Sequence, residues 1–148
     1  MFRRIPITAL LVALSLPAIG FKGDQEDKIP GLIERAQSAP LRQQPGLYAN
    51  IAERQLKRAD ELYSAGETGK ARALLAEVLT YSDKASNAAI QSGKHLKNTE
   101  IAIRKMSFKL RDIKREVTFN DQAPLQNASD HLETLRTDLL ARMFKKKK

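Results

Sequence analysis

Apolar and basic residues alternate over residues 100–117, EIAIRKMSFKLRDIKREV, with almost no neutral polar residue between them. On a helix, Ile101 and Phe108 share one side because they lie one heptad apart. Cations surround them, and the whole candidate interaction surface is Lys97, Ile101, Arg104, Lys105, Phe108, Arg111 and Arg115. Such a surface suits an anionic membrane or an acidic partner protein. The same pattern also arises where an apolar stripe is covered, here by residues 29–36 or by a second copy of the chain.

Residues for catalysis or metal binding are sparse, because the chain has two histidines and no cysteine. Neither His95 nor His131 belongs to a Glu-x-x-His pair or a His-Glu-x-x-His pattern, and we expect both at the edges of apolar helix faces. The sequence contains no Gly-rich phosphate loop and no nucleophile elbow. It therefore predicts a protein that is not an enzyme and that has no metal or other cofactor.

The excess of positive charge is local. The formal net charge is +9, with eight Lys/Arg and three Asp/Glu in residues 94–116 but two and four in residues 121–144. Without the two N-terminal arginines and the four C-terminal lysines the net charge is only about +3, and Phe108 is the only aromatic residue in the basic segment, so we do not expect nucleic acid as a partner. Within the segment, the spacing of Glu100 with Arg104 and of Asp112 with Arg115 predicts surface ion pairs.

A 3.5-residue apolar period marks the longest predicted element. It follows the positions Ala71, Leu75, Val78, Ser82, Ala85, Ala89, Ser92, Leu96, Thr99, Ile103, Met106, Leu110, Ile113 and Val117. Such a period is typical of a coiled-coil-like seam. Because the period continues unchanged across Gly93, we predict one helix over residues 68–117. A break at Gly93 would instead fold the same segments into a four-helix bundle.

Shorter helices are predicted on both sides of the long one. Residues 46–65 carry helically spaced apolar positions, and residues 122–144 form an amphipathic helix with Asn120 or Asp121 as its cap and Pro124 in its first turn. Residues 21–45 are a polar lead-in with a short helix near 30–38, and residues 145–148 are a basic tail. No β pattern competes. The predicted fold is all-α, with elongated antiparallel hairpins that share the long central helix.

One segment resembles a known repeat. ADELYSAGETGKARALLAEVL, within residues 52–80, resembles a single tetratricopeptide-type helical hairpin in its small and apolar positions, Ala59, Leu62, Gly66, Ala71 and Leu75. The resemblance implies hairpin geometry and a protein-binding role. The chain departs from that family at Gln55, where a large apolar residue is usual, and it lacks the closing proline and a second copy. As a whole it resembles the small exported helical proteins of bacteria.

The N-terminus has the parts of an export signal in order. Residues 3–4 are arginines, residues 5–16 are mostly apolar, and a small-x-small triplet ends at Gly20. Two prolines shorten the apolar run below the about 20 residues that span a membrane, although an uncleaved anchor is the alternative. We expect residues 1–20 to be a signal peptide and the mature protein to be periplasmic or secreted.

These patterns lead to two hypotheses of function. The first is an exported, non-enzymatic helical scaffold that binds another protein or itself. The second is a peripheral envelope protein that binds anionic membrane or acidic surfaces through its basic helix and lysine tail.

Overall fold

Residues 28–145 are described from a computed structural model, so the predicted signal peptide and the last three lysines lie outside the described residues. This part of the chain is helical and contains no strand, which confirms the predicted all-α class. A 3₁₀ turn over Leu41–Gln43 joins the first two helices. The helices are α1 (Lys28–Ser38), α2 (Gln44–Ser64), α3 (Thr68–Ser92), α4 (Leu96–Glu116) and α5 (Phe119–Phe144).

The predicted continuous helix over residues 68–117 is wrong, because α3 ends at Ser92 and α4 begins at Leu96. Gly93 and His95 have φ values of 65° and 58°, so two left-handed residues lie within three positions and reverse the chain. The Gly93 N–H donates to the Ala89 carbonyl, which closes α3. An apolar period shows which residues face the core, but it does not show whether they belong to one continuous helix or to two.

The seam itself is buried as predicted. Of its fourteen positions, only Ser92, Leu96 and Val117 are partly exposed, and two of these flank the turn between α3 and α4. Because the chain reverses at this turn, the apolar residues of both halves of the seam line one core that is shared by α2, α3, α4 and α5, apart from Ala85, which packs in a separate cluster with α1.

The four long helices form two antiparallel hairpins, α2 with α3 and α4 with α5. The hairpins lie side by side, with α4 next to α2 and α5 next to α3. Three side-chain pairs cross between them, each joining residues 48 or 49 positions apart: Asp60–Lys109, Arg72–Asp121 and Asp83–His131. A constant sequence separation means that the paired helices run in the same direction.

The start of α5 differs from the prediction, because Thr118 rather than Asn120 or Asp121 is its N-cap. Pro124 therefore lies inside the helix, where it cannot donate to the carbonyl of Asn120. Arg72 of α3 donates to that carbonyl instead, at 3.4 Å, and the same guanidinium pairs with Asp121. A contact between hairpins thus satisfies the group that the proline leaves free.

We expect Gly93→Ala to lower the free energy of unfolding by about 1 kcal/mol, because an alanine pays the full cost of a left-handed backbone. No atom lies within 4 Å of the position of the added Cβ, so the effect isolates backbone strain. Gly69→Ala, in the first turn of α3, is the matched control and should be neutral or stabilising. Urea unfolding followed by circular dichroism measures both, and an unaffected Gly93→Ala variant would contradict the assigned role of the turn.

Candidate interaction surface on helix α4

All seven predicted interaction residues lie on α4, and they do not share one environment. Phe108 is 50% exposed, whereas Ile101 is half-buried. Lys97, Lys105 and Arg115 are exposed. The buried side of the same helix carries the core residues Ile103, Met106, Leu110 and Ile113.

Helix α1 does not cover Ile101 and Phe108, although the sequence allowed residues 29–36 to pack over them. Its apolar residues, Ile29 to Ala36, pack in a separate cluster against Tyr48 and Ile51 of α2 and Ala85 of α3. Helix α4 contributes only Ala102 to that cluster. Within residues 28–145, half of the Phe108 side chain therefore remains open to a partner.

The arginines of the surface are paired with acids of the same chain. Arg104 lies 3.7 Å from Glu100, Arg111 lies 3.0 Å from Glu133, and Arg115 lies 3.3 Å from Asp112; these distances join guanidinium nitrogens to carboxylate oxygens. The two predicted pairs, Glu100 with Arg104 and Asp112 with Arg115, are confirmed. The outer side of α4 thus presents both signs of charge around Phe108, whose ring centroid lies 5.2 Å from the Arg111 guanidinium carbon.

The predicted ion pair implied that Glu100 lies at the surface. Its side chain is in fact buried, with only 7% exposed. Its carboxylate accepts a hydrogen bond of 2.8 Å from Arg136 of α5. The buried hydroxyl of Ser107 donates to Glu133 at 2.8 Å, and Arg136 also contacts Glu133. These groups form a polar network that joins α4 to α5 beside the apolar core.

A signal for this network exists in the sequence. Glu100, Ser107 and Arg111 are spaced by seven and four residues, which places them along one side of a helix next to the seam. The sequence does not identify their partners on α5, because the register between two packed helices is not specified by the sequence of either helix alone.

The network changes the acidity of Glu133. Partial burial alone would raise the pKa of its carboxyl group, but hydrogen bonds from Ser107 and Arg136, with the charge of Arg111, outweigh burial, so the net pKa lies below the ordinary value of 4.5. Glu53 of α2 differs, because burial raises its pKa and the charge of Lys105 opposes the change only in part.

Neither histidine lies in a metal-binding arrangement. His95 is exposed in the α3–α4 turn, and His131 is half-buried with its Nε2 2.6 Å from Asp83 of α3. Within residues 28–145, no three His, Asp or Glu side chains are grouped closely enough to hold a metal ion. His131 instead joins the two hairpins.

Comparison of the chain with protein-family models, curated proteins and solved structures found no match. Assignment of residues 52–80 to the tetratricopeptide type therefore stays a prediction. The hairpin of α2 and α3 has Ala59 and Ala71 fully buried, and the buried side chain of Gln55 donates to Glu77 of α3. In the described part of the chain, none of the helices has the length and apolar content to cross a membrane.

We expect Glu133→Gln to lower the free energy of unfolding at pH 7 by about 1 kcal/mol, because charge-assisted hydrogen bonds are lost at a partly exposed site. A folded-state pKa below 4.5 stabilises the fold above pH 4.5, and this contribution is lost as the pH falls through the lowered pKa. The difference between variant and wild type should therefore shrink over that range.

Glu53→Gln is the matched control, because the pKa of Glu53 is raised in the folded state and its charged form therefore destabilises the fold at pH 7. This variant should be neutral or stabilising at pH 7. Unfolding free energies measured from neutral to acidic pH separate the two cases, and parallel curves for wild type and Glu133→Gln would contradict the assigned pKa.

Proposed function

We propose that the protein is an exported, non-enzymatic helical interaction protein that binds another protein through the outer face of α4. The observation that carries the proposal is the half-exposed ring of Phe108 in the middle of a helix whose other side is fixed in the core. A large apolar group held rigidly at the surface loses little conformational freedom when a partner covers it.

The surroundings of Phe108 favour a protein partner. Aromatic and arginine side chains dominate the binding energy of protein interfaces, and Arg111 lies against the Phe108 ring. Arg104 and Arg115 add charges that are already paired with acids. Paired charges of both signs suit the polar rim of a protein interface better than a uniformly anionic bilayer.

The stacking of the two hairpins gives separate support. Adjacent helices of the hairpins run in the same direction, and repeats of the tetratricopeptide type also stack helical hairpins into extended binding surfaces. The resemblance of residues 52–80 to that type is consistent with this proposal.

Photo-crosslinking from position 108 of the full chain, in cells that make the protein, tests the partner. We expect a specific adduct from position 108 and none from position 119, where Phe119 is 85% exposed at the start of α5. The mass of the adduct distinguishes a different protein from a second copy of this chain. A chain that forms no adduct from position 108 would contradict the proposal.

Phe108→Asp should weaken binding to the crosslinked partner by about 30-fold, because it removes the central apolar anchor. Phe119→Asp is the control and should bind as wild type. If the partner is a second copy, sedimentation of the two variants shows the same contrast, and equal behaviour would argue against the face of α4.

Export rests on the N-terminal pattern, which lies outside the described residues. Mass measurement of protein recovered from the cell envelope or medium should give a chain that begins at Phe21, because signal peptidase cleaves after small residues such as Gly20. A chain that retains residues 1–20 would favour the uncleaved anchor.

A further inference from the structure

One end of the molecule gathers segments that are far apart in sequence. A cleft lined by Arg35, Gln43, Gly46, Leu47 and His95 joins the last turn of α1, the start of α2 and the α3–α4 turn. The end of α5 reaches the same level, because α5 is antiparallel to α4 and Arg136 already pairs with Glu100 in the second turn of α4. We call this region the basic end.

Unpaired cations define the basic end. Two acids, Glu34 and Asp138, lie there, and none of its cations belongs to an ion pair within residues 28–145. Three further lysines follow in the sequence. The six exposed cations of the basic end are Arg35, Arg42, Lys94, Lys97, Arg142 and Lys145.

The opposite end of the helices has a different character. There four cations are paired with acids, as Arg58–Glu61, Lys70–Glu67, Arg72–Asp121 and Arg115–Asp112. The molecule is therefore electrostatically polarised along its helices, although the net charge alone does not reveal this.

Exposed apolar side chains accompany the cations. Leu41, in the 3₁₀ turn, is 42% exposed, and Phe144, in the last turn of α5, is 75% exposed. Apolar groups that protrude from a cationic surface enter the headgroup region of a bilayer while the cations contact anionic lipids. The cations come from α1, the 3₁₀ turn, the α3–α4 turn and the end of α5, so they are spread over a broad face. A face of this kind suits a flat partner such as a membrane better than an extended peptide.

We propose that the basic end docks on a membrane surface that carries anionic lipids, with Leu41 and Phe144 in the headgroup region. This docking goes beyond the proposed protein binding, and of the seven residues of the candidate interaction surface it uses only Lys97. Phe108 lies twelve residues beyond Leu96, the first residue of α4, which is about 18 Å along the helix. The outer face of α4 thus remains open to a partner while the protein is bound to a membrane.

Sedimentation of the full chain with vesicles tests this proposal. The probes are vesicles of pure phosphatidylcholine and of phosphatidylcholine mixed with phosphatidylglycerol. We expect stronger binding to the mixed vesicles. Any binding through residues 1–20, including the arginines at positions 3 and 4, is the same in every variant described below, so comparison of the variants isolates the contribution of the basic end.

Arg42→Gln/Arg142→Gln should lower the partition onto mixed vesicles by about 25-fold, since each cation near an anionic bilayer contributes about fivefold. The matched control, Lys57→Gln/Lys70→Gln, changes the net charge equally at exposed positions far from the basic end. It should change the partition by no more than about twofold, because salt screens charges beyond about 10 Å.

Phe144→Asp should lower the partition by about tenfold, whereas Phe119→Asp at the opposite end should not. Circular dichroism of each variant confirms folding; the substituted residues are exposed except for Arg104, which is partly buried and pairs with Glu100. Three results would overturn the proposal: equal binding to both vesicle types, equal losses for the two charge pairs, or a loss that follows Arg104→Gln/Lys105→Gln on the face of α4 instead.

Discussion

The left-handed backbone at Gly93 and His95 is the constraint on which the rest of the structure depends. It folds one continuous apolar seam back on itself, so that α4 lies beside α2 and both halves of the seam close a single core. The small residues of α3, such as Ala85 and Ala89, let neighbouring helices approach closely. The bulky residues of α4 then fill the space between the hairpins.

Polar contacts fix how the hairpins and helices align around that core. Hydrophobic contact is not directional, so it does not determine by itself how far two helices slide past each other. Hydrogen bonds are directional, and Glu100 with Arg136, Ser107 with Glu133 and Arg72 with the Asn120 carbonyl each require one register. The alignment of α4 with α5 also places Glu133 beside Arg111, so it determines how much of the positive charge of α4 is neutralised.

The result is a molecule with two exposed surfaces of different chemistry. The outer face of α4 combines a half-exposed aromatic ring with charges of both signs, whereas the basic end combines two exposed apolar side chains with cations that form no ion pair among residues 28–145. Their separation along α4 is compatible with one protein that is held at a membrane and presents its side to a partner. In this arrangement the uneven charge along the helices orients the protein, with the basic end toward the bilayer.

Several features follow from the sequence by itself. Apolar periodicity predicted the helical class and most of the buried positions, since a helical period requires the residues of one face to share an environment. Local spacing likewise predicted the Glu100–Arg104 and Asp112–Arg115 pairs, because residues three or four apart meet on any helix.

Tertiary structure decided the rest. The reversal at Gly93 leaves the period unchanged, so the pattern alone could not distinguish one long helix from two. The burial of Glu100, the position of α1 away from Phe108, and the placement of Arg42, Lys94 and Arg142 toward the same end of the helices depend on how distant segments pack. Such contacts are fixed only when the helices pack, because each helix alone allows many registers and many neighbours.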